Sequence, residues 1–252
     1  MSSDRPEISI VIPAYNEETR LPRTLDRLVE YFGGRKGEWE LVVVDDGSRD
    51  GTAALVERFL AGRPVGRLVR LGANRGKGGA LRAGMLAARG RWILFMDADL
   101  STPLEEMERM RPHFADHEVV SASRRIAGSE ILEFQPFYRR FMGRCFTLLS
   151  NLAMLHKVSD YTCGFKAFRA DAAREIFGRG RIDGWGYDVE ILFLATRLGY
   201  RLKEVPVRWK NDPQTRVRLL RATLGSFLEL LQIRLHDLLG HYRKPVDVRE
   251  VD

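Results

Sequence analysis

The sequence predicts an α/β fold: a mostly parallel central sheet flanked by helices, with an amphipathic helix near the C-terminus. Three observations predict it. Short β-branched runs alternate with segments whose apolar residues recur every three or four positions. The apolar runs stop at proline, glycine or acidic residues, as buried parallel strands do where their loops begin. Neither an internal repeat nor a low-complexity linker interrupts the pattern. With 252 residues, 44% hydrophobic and 30% charged, the chain can bury a sizeable core, which excludes a disordered or fibrous protein.

The elements follow in order. Ile8–Ile12 is a β-branched run that stops at Pro13, a first strand. Leu21, Leu25, Leu28, Val29 and Phe32 are spaced as on a helix that ends at Gly33-Gly34. Residues 39–44 form a second strand running into Asp45-Asp46-Gly47-Ser48, and 52–60 a helix. Residues 65–71 are a third strand, and Gly76-Lys77-Gly78-Gly79 opens a helix through Ala88. Residues 92–96 are a fourth strand, entering Asp97-Ala98-Asp99. Beyond Ser101 the pattern becomes α+β: a strand at 119–122, an Arg-rich apolar segment over 125–160, and a late strand over 205–209. Val217, Leu220, Leu224, Phe227, Leu231, Leu235 and Leu238 place a long amphipathic helix over 216–241.

The formal net charge is +7, which suggests an anionic partner: phosphate ligands, a membrane surface or nucleic acid. No aromatic RNA motif or helix-turn-helix accompanies the charge, so a nucleic-acid-binding protein is the weak alternative. Two cysteines, Cys145 and Cys163, cannot build a disulfide framework, and the five histidines lack zinc spacing. A reducing, cytoplasmic compartment is expected. The N-terminal residues do not read as a secretory signal, and no apolar stretch is long enough to span a bilayer, so any membrane association is peripheral.

In an open α/β sheet, ligands bind beyond the carboxyl ends of the strands. Three strands carry polar residues there. Asp97-Ala98-Asp99 puts two carboxylates within reach of one hard cation, Mg²⁺ or Mn²⁺, whose shell waters and substrate phosphates complete. The plainer alternative is an acidic turn with Ser101 or Thr102 capping the next helix before Pro103. Asp45-Asp46-Gly47-Ser48 reads either as a nucleoside-binding loop or as an Asx turn. Glu17, after the first strand, could also meet a nucleoside. Asn74–Gly79 opens a helix with bare amides and two cations, which suits an anion, although it is neither a Walker A loop nor a GxGxxG fingerprint.

These segments together resemble a family. Residues 12–17 (IPAYNE), 44–52 (VDDGSRDGT), 74–80 (NRGKGGA) and 97–101 (DADLS) are similar to family 2 glycosyltransferases of GT-A fold, whose sheet is Rossmann-like. Residues 160–168 (DYTCGFKAF), 185–192 (WGYDVEIL) and 204–213 (EVPVRWKNDP) resemble the polyprenyl- and dolichyl-phosphate sugar synthases, especially their β-glucosyltransferase branch. The resemblance covers about residues 7–235. It implies a single domain over 1–235, with a nucleotide-sugar half (7–123), an acceptor half (124–235) and a tail over 236–252.

The resemblance further implies a nucleotide-sugar donor, inversion at the anomeric carbon and a lipid monophosphate acceptor. It places Pro13, Ala14, Tyr15, Glu17 and Asp46 around the nucleoside and Lys77 near the nucleotide. It puts Asp97, Ala98 and Asp99 at the metal-diphosphate, with Asp97 and Asp99 as metal ligands and Asp99 the more direct of the two. Arg124 and Arg140 fall where relatives use cations near phosphates. Asp160 falls where some relatives carry a carboxylate close to the reacting centre, the alternative being a helix cap or a buried ion pair. Mannosyl synthases often carry Gln where this chain has Ser101, which favours UDP-glucose over GDP-mannose. Mannosyl transfer to the same lipid and transfer to a soluble acceptor remain alternatives.

Residues 201–244 hold ten basic and four acidic residues, as an interfacial anchor on an anionic membrane would. There Arg208, Lys210, Arg216 and Arg218 could grip the lipid phosphate. The alternative for the helix is packing on the domain or in an oligomer. Trp185, Trp209, Phe134, Phe137 and Phe141 could line a lipid groove, or belong to the core. Asp188 and Glu190 fall at a helix start, where carboxylates suit the dipole.

Overall fold

The computed structural model describes residues 5–34, 38–63, 65–212 and 219–243, with backbone only for 219–224. Nine strands and eight α-helices are seen among them. The first half alternates: β1 (Ile8–Ala14), α1 (Leu21–Phe32), β2 (Trp39–Asp45), α2 (Thr52–Leu60), β3 (Gly66–Arg70), α3 (Gly76–Ala87) and β4 (Trp92–Met96). Then come a short α4 (Met107–Met110) between 3₁₀ turns, β5 (Val119–Ser123), β6 (Glu130–Glu133) and α5 (Phe137–Met154). The chain closes with β7 (Phe165–Arg169), α6 (Ala170–Arg179), α7 (Tyr187–Arg197), β8 (Leu202–Pro206), β9 (Arg208–Lys210) and α8 (Leu219–Leu238).

Seven strands form one sheet in the order β3-β2-β1-β4-β7-β5-β8. All pairings are parallel except those of β7, which runs antiparallel to β4 and β5. Alternation along each strand feeds two cores. Val11, Val42 and Val44 face α3, α6, α7 and α8, whereas Ile10, Ile12, Leu41 and Val43 face α1, α2 and α4. The result is a sheet covered by helices on both sides, the arrangement that buries a mostly parallel sheet.

The reversal of β7 positions the site. Phe165, the first residue of β7, pairs with Met96, the last of β4. The segment 160–164 therefore arrives at the edge where Asp97 leaves. The strands β1, β2, β4, β5 and β8 also end on that edge.

Three expectations change. The strand over 205–209 is two strands: β8 ends at Pro206, and β9 begins at Arg208 and joins β6 in a separate two-stranded sheet. Proline lacks the N–H needed to continue a ladder, so the break falls there. The segment over 125–160, given no element from sequence, holds β6 and the 18-residue α5. And α8 does not divide into one apolar and one charged face. Its described side chains place Leu230 and Ile233 in the core, while Leu228, Leu231, Leu235 and Leu238 are exposed. Phe227 lies between, edge-on to Phe146 of α5 at 5.9 Å. Tyr242, in the stretch expected as a tail, is buried against Phe193 and His236. Both cysteines are free.

Candidate active site

At the end of β4, Asp97 Oδ1 lies 2.6 Å from Lys77 Nζ. The Asp97 amide donates to Gly164 O, and Thr24 Oγ1 of α1 donates to Ala98 O. A Cβ on Gly164 would overlap the Asp97 carboxylate, so a side chain there would push that carboxylate from its place beside Lys77. Asp99 Oδ1 accepts the Ser101 amide at 2.9 Å. Burial and the neighbouring Asp97 raise the Asp99 carboxyl above its ordinary value. Burial alone would lower the Lys77 ammonium, but the surrounding carboxylates of Asp97, Asp188 and Asp99 together outweigh burial and raise it. Ser101 and Thr102 do not cap the next turn; its N-cap position is Pro103, with no side-chain cap. The capping alternative for this loop is therefore not what forms.

At the end of β2, Asp45 Oδ1 accepts the Ser48 amide, an Asx-type turn. The Asp46 carboxylate accepts the Arg75 amide at 2.7 Å and the Gly76 amide at 3.0 Å. Asp183 O accepts the Gly78 and Gly79 amides. These four amides at the entry of α3 are thus answered from within the chain, which corrects the expectation of a bare anion site. Asp46 is itself the anion there. Burial raises its carboxyl despite those two bonds.

At the end of β1, Pro13 and Ala14 complete the strand, and Tyr15 is exposed. Glu17 is held by Arg20 through both carboxylate oxygens, and Arg20 also reaches Asp212 at 3.1 Å. Sequence reasoning passed over Arg20, which its place three residues after Glu17 could have flagged.

On the far side, Arg124 leaves β5 and meets Asp160. Arg124 Nε donates to Asp160 Oδ2 at 2.7 Å and Nη2 to Oδ1 at 2.8 Å, and the Arg124 amide adds a third bond. The Asp160 carboxylate is fully buried. Burial alone would raise it, but the guanidinium holds it well below the usual carboxylate range. Asp160 therefore sits as a buried ion pair, and Glu204 of β8 fixes its backbone by accepting the Ser159 and Asp160 amides. The Arg124 guanidinium stacks 5.2 Å from the Trp209 ring of β9. Trp209, Asp97, Ser101, Thr102, Gly164 and Phe165 line a small cleft between these groups.

The other cations divide. Arg208 Nε binds the buried Glu106 at 2.6 Å, and Lys210 Nζ pairs with Glu133 at 2.7 Å. Arg140, on α5, lies over the Phe134 ring at 4.8 Å and has no ion pair among the described residues. Arg216 and Arg218 lie outside the described residues. Lys166 was missed as a site residue. Its ammonium binds Asp188 at 2.6 Å and the Cys163 carbonyl, a buried bridge that ties the 160–164 segment to α7. A lone charge inside the apolar run of β7 was the available signal. Glu190 likewise turns inward, accepting the Arg181 and Ile182 amides and the Tyr242 hydroxyl. Of the aromatics expected in a groove or the core, Trp209 is buried and Trp185, Phe134, Phe137 and Phe141 are exposed.

Asp97 and Asp99 offer hard oxygen donors at one strand end. No group of three or more metal-capable side chains exists among the described residues. Two carboxylates with open positions fit Mg²⁺ or Mn²⁺ shared with a diphosphate and do not fit a closed structural site.

Known proteins share this architecture. In sequence, the family described as "Glycosyl transferase family 2" matches residues 9–177. The chain is 32% identical over 249 residues to "Dolichyl-phosphate beta-glucosyltransferase" of Dictyostelium discoideum, covering 94% of this chain and 76% of that protein. It is 31% identical over 251 residues to the Homo sapiens protein of the same name, covering 94% and 78%. In structure, it resembles glucosyl-3-phosphoglycerate synthase from Mycobacterium tuberculosis, solved with Mn²⁺, uridine diphosphate and glucosyl-3-phosphoglycerate. The TM-score is 0.65 at 22% identity, over 91% of this chain and 80% of that one. The converging loops, the mixed sheet and these matches lead to one assignment: the protein belongs to glycosyltransferase family 2.

Proposed function

We propose that the protein transfers glucose from UDP-glucose to the phosphate of a dolichyl-type polyprenyl lipid, inverting the anomeric carbon. The observation that carries this reading is the 32% identity, over 94% of the chain, to a protein named for that activity. The converged acidic and basic groups at one sheet edge supply the chemistry.

Pro13, Ala14 and Tyr15 border the nucleoside, with Glu17 and Asp46 acting through the loops that they hold. Asp97 and Asp99 would hold Mg²⁺ or Mn²⁺. When bound, the ion offsets the charge that builds on the departing diphosphate. Lys77, fixed at Asp97, adds a cation beside the same diphosphate. The acceptor phosphate is dianionic near pH 7, because its second pKa is about 6. One of its oxygens bonds to the anomeric carbon as the bond from that carbon to the diphosphate oxygen breaks, and UDP leaves. No proton need be removed from the nucleophile. Asp160 orients the Arg124 guanidinium by two parallel hydrogen bonds rather than collecting a proton. Arg124 and Arg140 attract the acceptor phosphate, joined by Arg208, Lys210 and Arg216.

We infer a peripheral place on an anionic membrane surface, on its cytoplasmic face. No helix among the described residues is long and apolar enough to cross a membrane. α5 supports the surface best. It carries Arg139, Arg140 and Arg144 and no acidic residue, and it exposes Phe137 (78%), Phe141, Leu148 and Leu152. The described α8 is less basic, with Glu229 and Asp237 beside its cations.

The test is label transfer from UDP-glucose to organic-extractable lipid, using purified protein, polyprenyl phosphate and Mg²⁺ or Mn²⁺. Label in lipid that disappears on chelation supports the reading. Label only from GDP-mannose overturns the sugar, and UDP release without lipid label overturns the acceptor.

A further inference from the structure

The loop between α6 and α7 is held more firmly than a connection requires. Its start is fixed by Glu190, which accepts the Arg181 and Ile182 amides at 2.9 Å each. Its middle is fixed by the Asp183 carbonyl, which accepts Gly78 and Gly79 of α3. Its end is fixed from α8, where Glu229 Oε2 accepts the Gly186 amide at 2.6 Å. A Cβ on either Gly184 or Gly186 would overlap the Glu229 side chain. The glycines and the glutamate thus fit one another across more than forty residues of sequence.

Between those two glycines stands Trp185, 41% exposed on a backbone that cannot retreat. Leaving an indole partly exposed forfeits some hydrophobic stabilisation, which a ligand packed on it would recover. Lys77 Nζ lies 5.7 Å from its ring centre and 2.6 Å from Asp97 Oδ1. Resting on the donor site proposed above, a diphosphate engaged at Asp97 and Lys77 would therefore carry its sugar within about one ring width of this indole. A hexose presents a C–H face that packs on an aromatic plane. We propose that Trp185 is the platform for the donor's sugar and that Glu229 of α8 is the positioning residue that sets it. The C-terminal helix is then part of the donor site as a strut.

The test compares binding of UDP with binding of UDP-glucose by titration calorimetry, on the full chain with Mn²⁺, beside steady-state transfer. Trp185→Ala weakens UDP-glucose about tenfold, equivalent to 1.4 kcal/mol, and leaves UDP within about twofold. Glu229→Ala reproduces that sugar-selective loss and raises KM for the donor. Glu229→Gln, which keeps an oxygen for the Gly186 amide, restores binding to within about twofold of wild type. Equal weakening of UDP and UDP-glucose by Trp185→Ala, or no weakening, overturns the platform. A Glu229→Ala protein that binds both ligands as wild type does overturns the positioning role. Should wild type use GDP-mannose instead, the sugar assignment above fails by itself, and the same selective loss is read on GDP against GDP-mannose.

Discussion

The two sides of the site edge handle charge in opposite ways. On the side of β1, β2 and β4, three carboxylates are answered by backbone amides of neighbouring loops, Asp45 by Ser48, Asp46 by Arg75 and Gly76, Asp99 by Ser101, and two by nearby cations, Asp97 by Lys77 and Glu17 by Arg20. On the side of β5, β7 and β8, buried carboxylates are answered by long cationic side chains from distant segments: Asp160 by Arg124, Asp188 by Lys166, Glu106 by Arg208. Backbone amides fix a carboxylate without neutralising it, which leaves Asp99 with its charge available for a cation, while Asp97 beside it shares its charge with Lys77. Side-chain pairs neutralise each other, so the second side contributes shape and oriented guanidinium groups. In the function proposed above, a divalent ion would sit on the first side and the acceptor phosphate on the second.

The largest effect should come from breaking the first side. Asp99→Ala removes a donor oxygen and should lower lipid glycosylation by about 10⁴-fold, the several kcal/mol that a metal supplies to a developing charge. The melting temperature should change little, because the Asp99 side chain carries only the Ser101 turn. A transfer rate within tenfold of wild type would break the comparison.

Next is the buried pair of the second side. Arg124→Ala leaves Asp160 charged and buried, at a cost of about 3 kcal/mol. For a chain of this length that lowers Tm by roughly 6–12 °C. Pairing Arg124→Met with Asp160→Leu should recover the Tm without recovering transfer. Recovery of both by the double variant would show that Arg124 serves packing alone.

A smaller effect is expected on α5. Leu148→Ser with Leu152→Ser should reduce partitioning into vesicles containing phosphatidylglycerol about tenfold, as loss of two partly inserted leucines predicts. Transfer to a short water-soluble prenyl phosphate should be unchanged. Unaltered partitioning would move the membrane surface elsewhere.

The smallest concerns Glu118, away from the site, which Arg201 and Arg169 hold at a pKa of about 2. Its folded pKa lies below the unfolded value, so its contribution is complete above about pH 4.5 and vanishes as pH falls through about 2. Glu118→Gln should cost about 1 kcal/mol at pH 7, kept small because solvent screens its exposed arginine partners. In denaturant melts the gap from wild type should close between pH 4 and pH 2. A gap that persists at pH 2 would mean that the carboxylate acts through packing.

How far the sequence could be read follows the same division. The strands and helices through β4 are local patterns of period two and 3.6, and their boundaries fell within a residue or two of those expected. The acidic loops were legible because each lies within a few residues of a strand end. Arg124 with Asp160 was open to two readings, since their side chains meet across 36 residues that no periodicity links. The break between β8 and β9 at Pro206 and Val207 was hidden by continuous β propensity, with the proline as its one visible sign. The leucine stripe of α8 was seen, but which leucines face inward depended on α5 and α7, and no local pattern encodes that.

By itself the sequence determined the alternating architecture, the acidic edge and the family, because burial periodicity and strand-end motifs are properties of neighbouring residues. The tertiary structure alone decided that the entry of α3 is filled by Asp46, that Asp160 is a buried partner of Arg124, and that Glu229 of α8 reaches the loop beside Lys77. Each of these is a pairing of polar groups far apart in the chain, fixed by the reversed β7 and by helices packing on both faces of the sheet. Desolvation makes any unpaired member costly, so the fold, rather than the local sequence, selects which partner each one meets.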